Sequence, residues 1–134
     1  MSTSSSNNVL SSKDTWRKYY SGKNVFPRRQ PQPWLKPRDY HVIRIFQKYL
    51  PQEGNWSIIE FGCGGSVWLP WLSKTLKARA AGVDYSEEGI AKARALLDAN
   101  STDAKLILGS FLDDHPEWYG KFDAAFSSGV IEHF

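Results

Sequence analysis

The chain has 134 residues, 17 lysines and arginines, 14 aspartates and glutamates, and a single cysteine, Cys63. This length fits one domain, and a lone cysteine excludes an internal disulfide and a multi-cysteine zinc site, so no metal is expected. No stretch approaches the roughly 20 apolar residues of a membrane span, and the polar N-terminus lacks the apolar run of a secretory signal. We therefore expect a cytoplasmic protein without a membrane partner.

The positive charge is concentrated in the first 50 residues. Ten of the lysines and arginines stand there against Asp14 and Asp39, a net charge of +8, which leaves −5 for the remainder. We expect residues 1–12 to form a disordered tail, because they are small and polar, and residues 13–51 to form a basic, aromatic arm that includes a helix. The arm indicates either solvated charge with a few docking aromatics or the attraction of an anionic substrate or nucleic acid, although no nucleic-acid-binding motif is present.

Four prolines between positions 27 and 37 predict a connecting segment rather than a helix. Asp39 then offers an N-cap, and apolar residues recur at helical spacing until Pro51, at positions 42, 43, 46, 49 and 50. The pattern predicts one amphipathic helix that ends before Pro51.

Beyond Pro51, short apolar runs alternate with helical stretches, which is typical of βαβ units and a parallel sheet. The runs predict four strands, at 57–61, 80–84, 105–108 and 122–126. Ser86 can cap a helix from Glu87 to about Ala99, and Pro70 must lie in or just before the first turn of the helix after the first strand.

A glycine-rich turn directly follows the first predicted strand, in the segment I-I-E-F-G-C-G-G-S at 58–66. Without a β-carbon, Gly62 and Gly64 let a ligand approach the main chain at the carboxyl end of the strand, where open α/β sheets bind ligands. The next strand ends in Asp84, about twenty residues later, where a carboxylate can accept hydrogen bonds from ribose hydroxyls. Each feature alone would suit an ordinary turn, but together they indicate a nucleotide-type cofactor.

The position of Val67 argues against a dinucleotide cofactor. A dinucleotide fingerprint counted from Gly62 and Gly64 needs a small residue at 67, where helix and sheet pack closely, and valine stands there. S-adenosylmethionine carries no pyrophosphate, so it depends less on that third glycine.

The segment E-F-G-C-G-G-S resembles the first motif of the class I S-adenosylmethionine-dependent methyltransferases. G-V-D-Y-S resembles their second motif, L-I-L-G-S-F-L-D-D the third and F-D-A-A-F-S-S-G-V-I-E-H-F the fourth, in the family's order across residues 56–134. The resemblance implies a Rossmann-like α/β fold with a partial parallel sheet, namely strands one to four of the family's seven, and helices on both faces. On this resemblance residues 52–134 would be the N-terminal half of a methyltransferase domain, so we expect a truncated chain or a fragment of a longer protein. The alternative is a partner chain that covers the apolar edge of strand four, because folded proteins normally pair or cover such an edge.

The resemblance implies ten cofactor-contacting residues at the ends of the four strands. They are Glu60, Gly62, Cys63, Gly64, Asp84, Tyr85, Ser110, Phe111, Ser128 and Gly129. Glu60 would steady the glycine loop or reach the amino group of the methionine part, and Gly62, Cys63 and Gly64 would present their backbone to the cofactor. Asp84 would hold the ribose, the next three residues would flank the adenine, and the last two would supply main chain near the transferable methyl group. Two residues depart from the family pattern: Ser66 replaces the last glycine, and Ser110 replaces an aspartate that binds the adenine amino group.

Glu132 and His133 are the candidate catalytic residues, because residues after the fourth strand approach the methyl acceptor in this family. Histidine is a natural general base near neutral pH, although a surface pair at the start of a helix is an equally good interpretation. Cys63 is interpreted as a small buried filler rather than a nucleophile. Tyr20 or Trp34 of the arm are hypothetical lids over the cofactor.

The predicted function is methyl transfer from S-adenosylmethionine to an unidentified acceptor, for which we expect a small molecule. One alternative is a non-catalytic or incomplete cofactor-binding half-domain that needs further strands or a partner. A less favoured alternative is a fragment of an NAD-binding oxidoreductase.

Overall fold

The computed structural model describes residues 12–21, 30–130 and 133. Two helices, α1 (Lys13–Ser21) and α2 (Pro37–Tyr49), precede the sheet. The chain then alternates through β1 (Ser57–Phe61), α3 (Trp68–Thr75), β2 (Arg79–Asp84), α4 (Glu87–Ala99) and β3 (Lys105–Leu108). A short 3₁₀ helix (Pro116–Trp118) leads into β4 (Ala124–Ser127).

The four strands form one parallel sheet in the order β3-β2-β1-β4. Strand β1 lies between β2 and β4, with Ser57 opposite Arg79 and Ile58 opposite Ala124. Because all strands are parallel, their carboxyl ends meet at one edge of the sheet, where ligands bind in open α/β folds. The predicted α/β fold with a partial parallel sheet is confirmed.

The two faces of the sheet are covered by different elements. Ile58 points to the face covered by α2, α3 and α4, where Phe46, Leu72 and other apolar side chains form one cluster. Ile59 points to the opposite face, where Trp118 of the 3₁₀ helix packs beside Phe111 and Phe122. Helical segments thus lie on both faces, and the three α-helices that follow α1 share one of them.

The predicted strands agree closely with the structure. Strands β1 and β3 have the predicted bounds, β2 begins one residue earlier, and β4 occupies 124–127 rather than 122–126. The carboxylate of Asp123 accepts hydrogen bonds from the backbone N–H and the hydroxyl of Ser57, at 2.7 and 3.0 Å. Asp123 therefore attaches this segment to the start of β1, and β4 begins after it.

The predicted N-cap of α2 is wrong, because the helix already begins at Pro37. Proline suits this first position, where its fixed φ is helical and no N–H is needed. Asp39 lies inside the first turn, buried, and its carboxylate accepts a hydrogen bond from the backbone N–H of Gln32 at 2.9 Å. Asp39 therefore ties the preceding turn to the helix.

The other local predictions for helices are confirmed. Helix α4 has the predicted bounds, and the Ser86 hydroxyl accepts a hydrogen bond from the backbone N–H of Gly89 at 3.1 Å. Pro70 lies in the first turn of α3. None of the described helices is long and apolar enough to span a membrane.

Helix α1 is not among the predicted elements. Trp16, Tyr19 and Tyr20 recur at helical spacing along it, and the rings of Trp16 and Tyr20 lie 6.0 Å apart. The Ser12 hydroxyl accepts a hydrogen bond from the backbone N–H of Thr15 at 3.3 Å, so Ser12 belongs to this helix start and not to a tail. The rest of the predicted tail, residues 1–11, and residues 22–29 of the arm lie outside the described residues.

Candidate cofactor site

The loop after β1 turns across the carboxyl end of β2. Gly62 and Gly65 have φ values of +72° and +67°, a region that favours glycine. The backbone N–H groups of Gly62 and Cys63 both donate to the carbonyl of Val83, at 2.8 and 3.1 Å. A side chain at Gly62 would collide with Val130, which follows β4. The glycine loop, residues 62–65, is thus held between β2 and the segment after β4.

Asp84, the last residue of β2, binds the turns on either side of it. Its Oδ2 accepts the N–H of Gly64 at 2.8 Å and its Oδ1 accepts the N–H of Ser86 at 2.9 Å. Burial raises the pKa of this carboxyl, while the backbone donors of Ser86, Gly64 and Tyr85 oppose the rise. A carboxylate has about four acceptor positions, so Asp84 can hold the loop and still accept a ligand hydroxyl.

Glu60, on β1, is buried with only 1% of its surface exposed, and its Oε2 finds no hydrogen-bond partner among the described residues. Burial raises the pKa of this carboxyl to about 8; the Ser66 hydroxyl opposes the rise and Asp84 adds to it. A cation beside Glu60 would favour the ionised form and give the second oxygen a partner. The residue therefore suits a positively charged group of a ligand.

Cys63 is fully buried, and burial, with contributions from Glu60 and Asp84, raises the pKa of its thiol. A protonated, buried thiol is a poor nucleophile. The side chain packs against Gly82 of β2, where an added Cβ would lie 2.7 Å from both Cβ and Sγ of Cys63. The geometry agrees with the interpretation of Cys63 as a packing residue.

Helix α1 lies against the glycine loop and the start of α4. Tyr20 Oη donates to the carbonyl of Gly64 at 2.9 Å, and Arg17 Nε lies 3.0 Å from Glu88 Oε1. Burial, with Asp84 adding to it, raises the pKa of the Tyr20 hydroxyl, which therefore stays protonated and donates. Of the two hypothetical lid residues, Tyr20 contacts the loop, whereas Trp34 is 72% exposed.

The residues predicted near adenine follow β2 and β3. The carbonyl of Ser110 lies 2.6 Å from His115 Nε2, and His115 Nδ1 lies 3.1 Å from a Glu117 oxygen. The hydrogen bond with Ser110, and to a smaller extent Glu117, raises the pKa of the His115 imidazole. The ring of Phe111 stacks on Phe61 with centroids 5.3 Å apart, so it belongs to the face opposite α3 and α4.

The remaining predicted residues follow β4 or lie beside α1. The Ser128 hydroxyl accepts a hydrogen bond from Arg38 Nη2 at 2.9 Å, and Gly129 has a φ of +72°. The His133 ring meets the ring of Trp16 edge-on, with centroids 5.0 Å apart. The Trp16 side chain also hydrogen-bonds Tyr85, whose pKa burial raises. Glu132 lies outside the described residues.

Three residues at this edge were not predicted from the sequence: Arg38, His115 and Val130. Arg38 and Ser128 are 90 residues apart in sequence, so no local pattern could have indicated their contact. Among the described residues, no group of three or more histidine, cysteine, aspartate or glutamate side chains could hold a metal ion.

Two cavities formed by described residues have linings that do not include the glycine loop. One runs along the exposed side of α2 between His41 and Tyr49, and the other lies beneath the sheet beside Phe61 and Trp118. Tyr20 fills the space above Gly64, where an added Cβ would collide with its hydroxyl. The arrangement of polar groups therefore marks the candidate site.

Comparison with known proteins identifies the family. A family described as "Methyltransferase domain" matches residues 58–134, which is more than half of the chain. The chain belongs to the methyltransferase domain family. The matched region runs from β1 to the segment after β4 and includes the glycine loop, Asp84 and His133. This region is a class I, Rossmann-like methyltransferase domain, as the motifs implied.

Solved structures share this fold. The magnesium protoporphyrin IX methyltransferase from Synechocystis PCC 6803, with bound S-adenosylmethionine, is 20% identical with a TM-score of 0.57, over 90% of this chain and 57% of that one. A second structure is of a protein related to the conversion of a disulfide bond into a thioacetal group during echinomycin biosynthesis. It is 24% identical with a TM-score of 0.64, over 91% of this chain and 49% of that one.

The PH0226 protein from Pyrococcus horikoshii OT3 is 22% identical with a TM-score of 0.52, over 69% of this chain and 42% of that one. This chain therefore spans about half the length of the solved structures that it matches. No curated protein sequence matches it significantly.

Proposed function

We propose that the glycine-loop edge binds S-adenosylmethionine and that the protein methylates a small-molecule acceptor. The observation that carries this proposal is the buried Glu60 carboxyl, one oxygen of which finds no partner among the described residues, beside Asp84 in a methyltransferase domain. When bound, S-adenosylmethionine supplies an electrophilic methyl group on a positively charged sulfur.

The residues present fit the methionine and ribose parts of this cofactor. Glu60 would accept a hydrogen bond from the α-ammonium group and become ionised as it does so. The main chain of Gly62, Cys63 and Gly64 would face the methionine part. Because Tyr20 fills the space above Gly64, helix α1 would have to move for the ligand to reach this main chain. Asp84 would accept a hydrogen bond from a ribose hydroxyl with its remaining acceptor position.

The strand order supports a placement of the adenine and the transferable methyl group at opposite ends of the cofactor site. Tyr85, Ser110 and Phe111 follow β2 and β3, on one side of β1, and would flank the adenine. Ser128 and Gly129 follow β4, on the other side, and would supply main chain near the methyl group. The methyl acceptor would then approach from the β4 side.

The protein would act by positioning and by excluding water, which can account for a large part of a rate enhancement. Tyr20 and α1 would cover the glycine loop and keep water away from the reacting atoms. His133, held beside Trp16, would accept the proton that the acceptor's nucleophilic atom gives up. No covalent intermediate on the protein is required.

Calorimetric titration with S-adenosylhomocysteine tests the proposal. We expect micromolar binding that falls about tenfold or more in Asp84→Ala, because a hydrogen bond to a charged group is lost. Asp98→Ala, an exposed aspartate on α4, is the matched control and should bind like the wild type. Glu60→Gln should also weaken binding, and it preserves the size of the side chain at the loop.

Circular dichroism would establish that each variant is folded. NAD is the competing ligand, because it represents the oxidoreductase alternative. A folded wild-type chain that binds NAD but not S-adenosylhomocysteine would contradict the proposal.

A further inference from the structure

Arg38 brings a positive charge to the β4 side of the candidate site. It is exposed, lies in the first turn of α2, and donates from Nη2 to the Ser128 hydroxyl at 2.9 Å. Ser128 directly follows β4, which flanks β1 on the side away from β2 and Asp84. Arg38 thus stands at the end of the site from which the acceptor would approach.

The fold fixes the backbone from which Arg38 extends. Its neighbour Asp39 is buried and accepts a hydrogen bond from Gln32, which anchors the first turn of α2. About two turns later, the ring of Phe46 packs on Phe126 of β4, with centroids 4.9 Å apart. Helix α2 is therefore held in place against β4, and Arg38 with it.

The charge of Arg38 has no carboxylate partner among the described residues. By contrast, Arg17 pairs with Glu88 at 3.0 Å and Arg94 with Asp103 at 2.8 Å. A guanidinium group has five N–H donors in a planar fork, and the Ser128 hydroxyl takes one of them. The remaining donors match an oxyanion with two accessible oxygens.

The segment after β4 separates Arg38 from the glycine loop. Its Ser128 faces Arg38, while its Val130 packs against Gly62. Arg38 is therefore on the outer side of this segment, away from the loop that would hold the methionine part. This placement favours a contact with the acceptor over a contact with the cofactor.

We infer that the methyl acceptor carries a carboxylate or phosphate group, which Arg38 binds through its guanidinium. The inference rests on the proposed function, because it concerns the acceptor of the same site. The anionic group would orient the acceptor so that its nucleophilic atom faces the methyl group. Neutral analogues of the acceptor would lack this contact.

The test uses the chain saturated with S-adenosylhomocysteine. It is titrated with inorganic phosphate, with acetate and with acetamide, the neutral counterpart of acetate, and binding is followed by NMR chemical shifts. We expect phosphate or acetate to bind and acetamide not to bind, and the anion that binds more tightly identifies the group. Arg38→Gln should weaken anion binding about tenfold, because a charge-assisted hydrogen bond is lost. Arg44→Gln, an exposed arginine of the same helix, is the control and should leave it unchanged.

The affinity of Arg38→Gln for S-adenosylhomocysteine is the second readout. An unchanged affinity supports the inference, whereas a fall would assign Arg38 to the cofactor's own carboxylate and overturn it. Anion binding that is absent, or equal in Arg38→Gln and Arg44→Gln, also overturns the inference but leaves the proposed function standing. If the folded wild-type chain does not bind S-adenosylhomocysteine, the proposed function fails and the inference fails with it.

Discussion

Among single residues, Glu60 shows how a motif residue acquires a physical role. Its position before the glycines carries the family resemblance, but the sequence does not show that the side chain is buried with one oxygen lacking a partner among the described residues. A buried polar group without a hydrogen bond is destabilising unless a ligand satisfies it. We therefore expect Glu60 to bind the ammonium group of a ligand.

We predict that Glu60→Gln reduces the pH dependence of stability. The pKa of Glu60 is about 8 in the folded chain, above the ordinary value of 4.5. The folded state therefore retains a proton that the unfolded state loses, so stability is full below about pH 4.5 and falls as the pH rises through 8. Between pH 5 and pH 8, the wild type should lose on the order of 3 kcal/mol that Glu60→Gln retains.

Thermal or denaturant unfolding at pH 5 and pH 8 measures this difference. Glu53→Gln, an exposed glutamate in the loop before β1, is the matched control and should behave like the wild type. The same pH dependence in Glu60→Gln and Glu53→Gln would mean that Glu60 does not titrate as described.

Among the secondary-structure elements, strand β2 packs closely against the glycine loop, where Gly82 meets Cys63. A Cβ on Gly82 would lie 2.7 Å from Cys63 Cβ and Sγ and from Leu69 Cδ1, all in the packed core. Such overpacking forces the backbone to shift, so Gly82→Ala should destabilise the chain by about 1–3 kcal/mol. Gly109→Ala should be nearly neutral, because an added Cβ there meets nothing within 4 Å. Denaturant unfolding compares the two variants, and equal losses would contradict this account of the packing.

Helix α1 depends on a few contacts with the rest of the domain. Tyr20→Phe removes the hydrogen bond to Gly64, so we predict a loss of about 1 kcal/mol in the attachment of α1. Hydrogen exchange in residues 13–21 should become faster, and S-adenosylhomocysteine should dissociate faster. Tyr19→Phe is the neighbouring control, because the Tyr19 side chain is exposed. Unchanged exchange and dissociation in Tyr20→Phe would exclude a lid role for α1.

The elements that the sequence predicted well are those with local signals. Strand β1 is a short apolar run, and α4 has Ser86 as its cap, so both can be read without knowledge of the fold. Helix α1 was not predicted because its aromatic residues recur at helical spacing over only nine residues, and the contact of Tyr20 with Gly64 joins residues 44 apart in sequence. The start of β4 shifted because Asp123 binds Ser57, which is 66 residues away.

At the scale of the whole molecule, parallel strands explain why the motifs converge. Glu60 lies on β1, Asp84 ends β2 and Ser128 directly follows β4, and the order β3-β2-β1-β4 brings these strand ends to one edge. The sequence could predict this convergence because the strands and their glycine turn were recognisable. It could not predict that Arg38 and Val130 complete the β4 side, because their contacts exist only in the folded chain.

The charge asymmetry also has a partial structural explanation. Arg17 of α1 pairs with Glu88 of α4, so part of the basic arm neutralises the acidic domain that it covers. Arg38, Arg44 and Lys48 of α2 remain exposed. The basic arm therefore attaches α1 to α4 through Arg17. It also leaves positive charge on α2 beside the β4 end, where the acceptor group is proposed to bind.

A crystal structure of the chain with S-adenosylhomocysteine would show where the cofactor binds. We expect the ribose within hydrogen-bonding distance of Asp84, the ammonium group beside Glu60, and the sulfur on the β4 side of the glycine loop. A ligand bound with its ribose away from Asp84 and its ammonium away from Glu60 would contradict the assignment of this edge as the cofactor site.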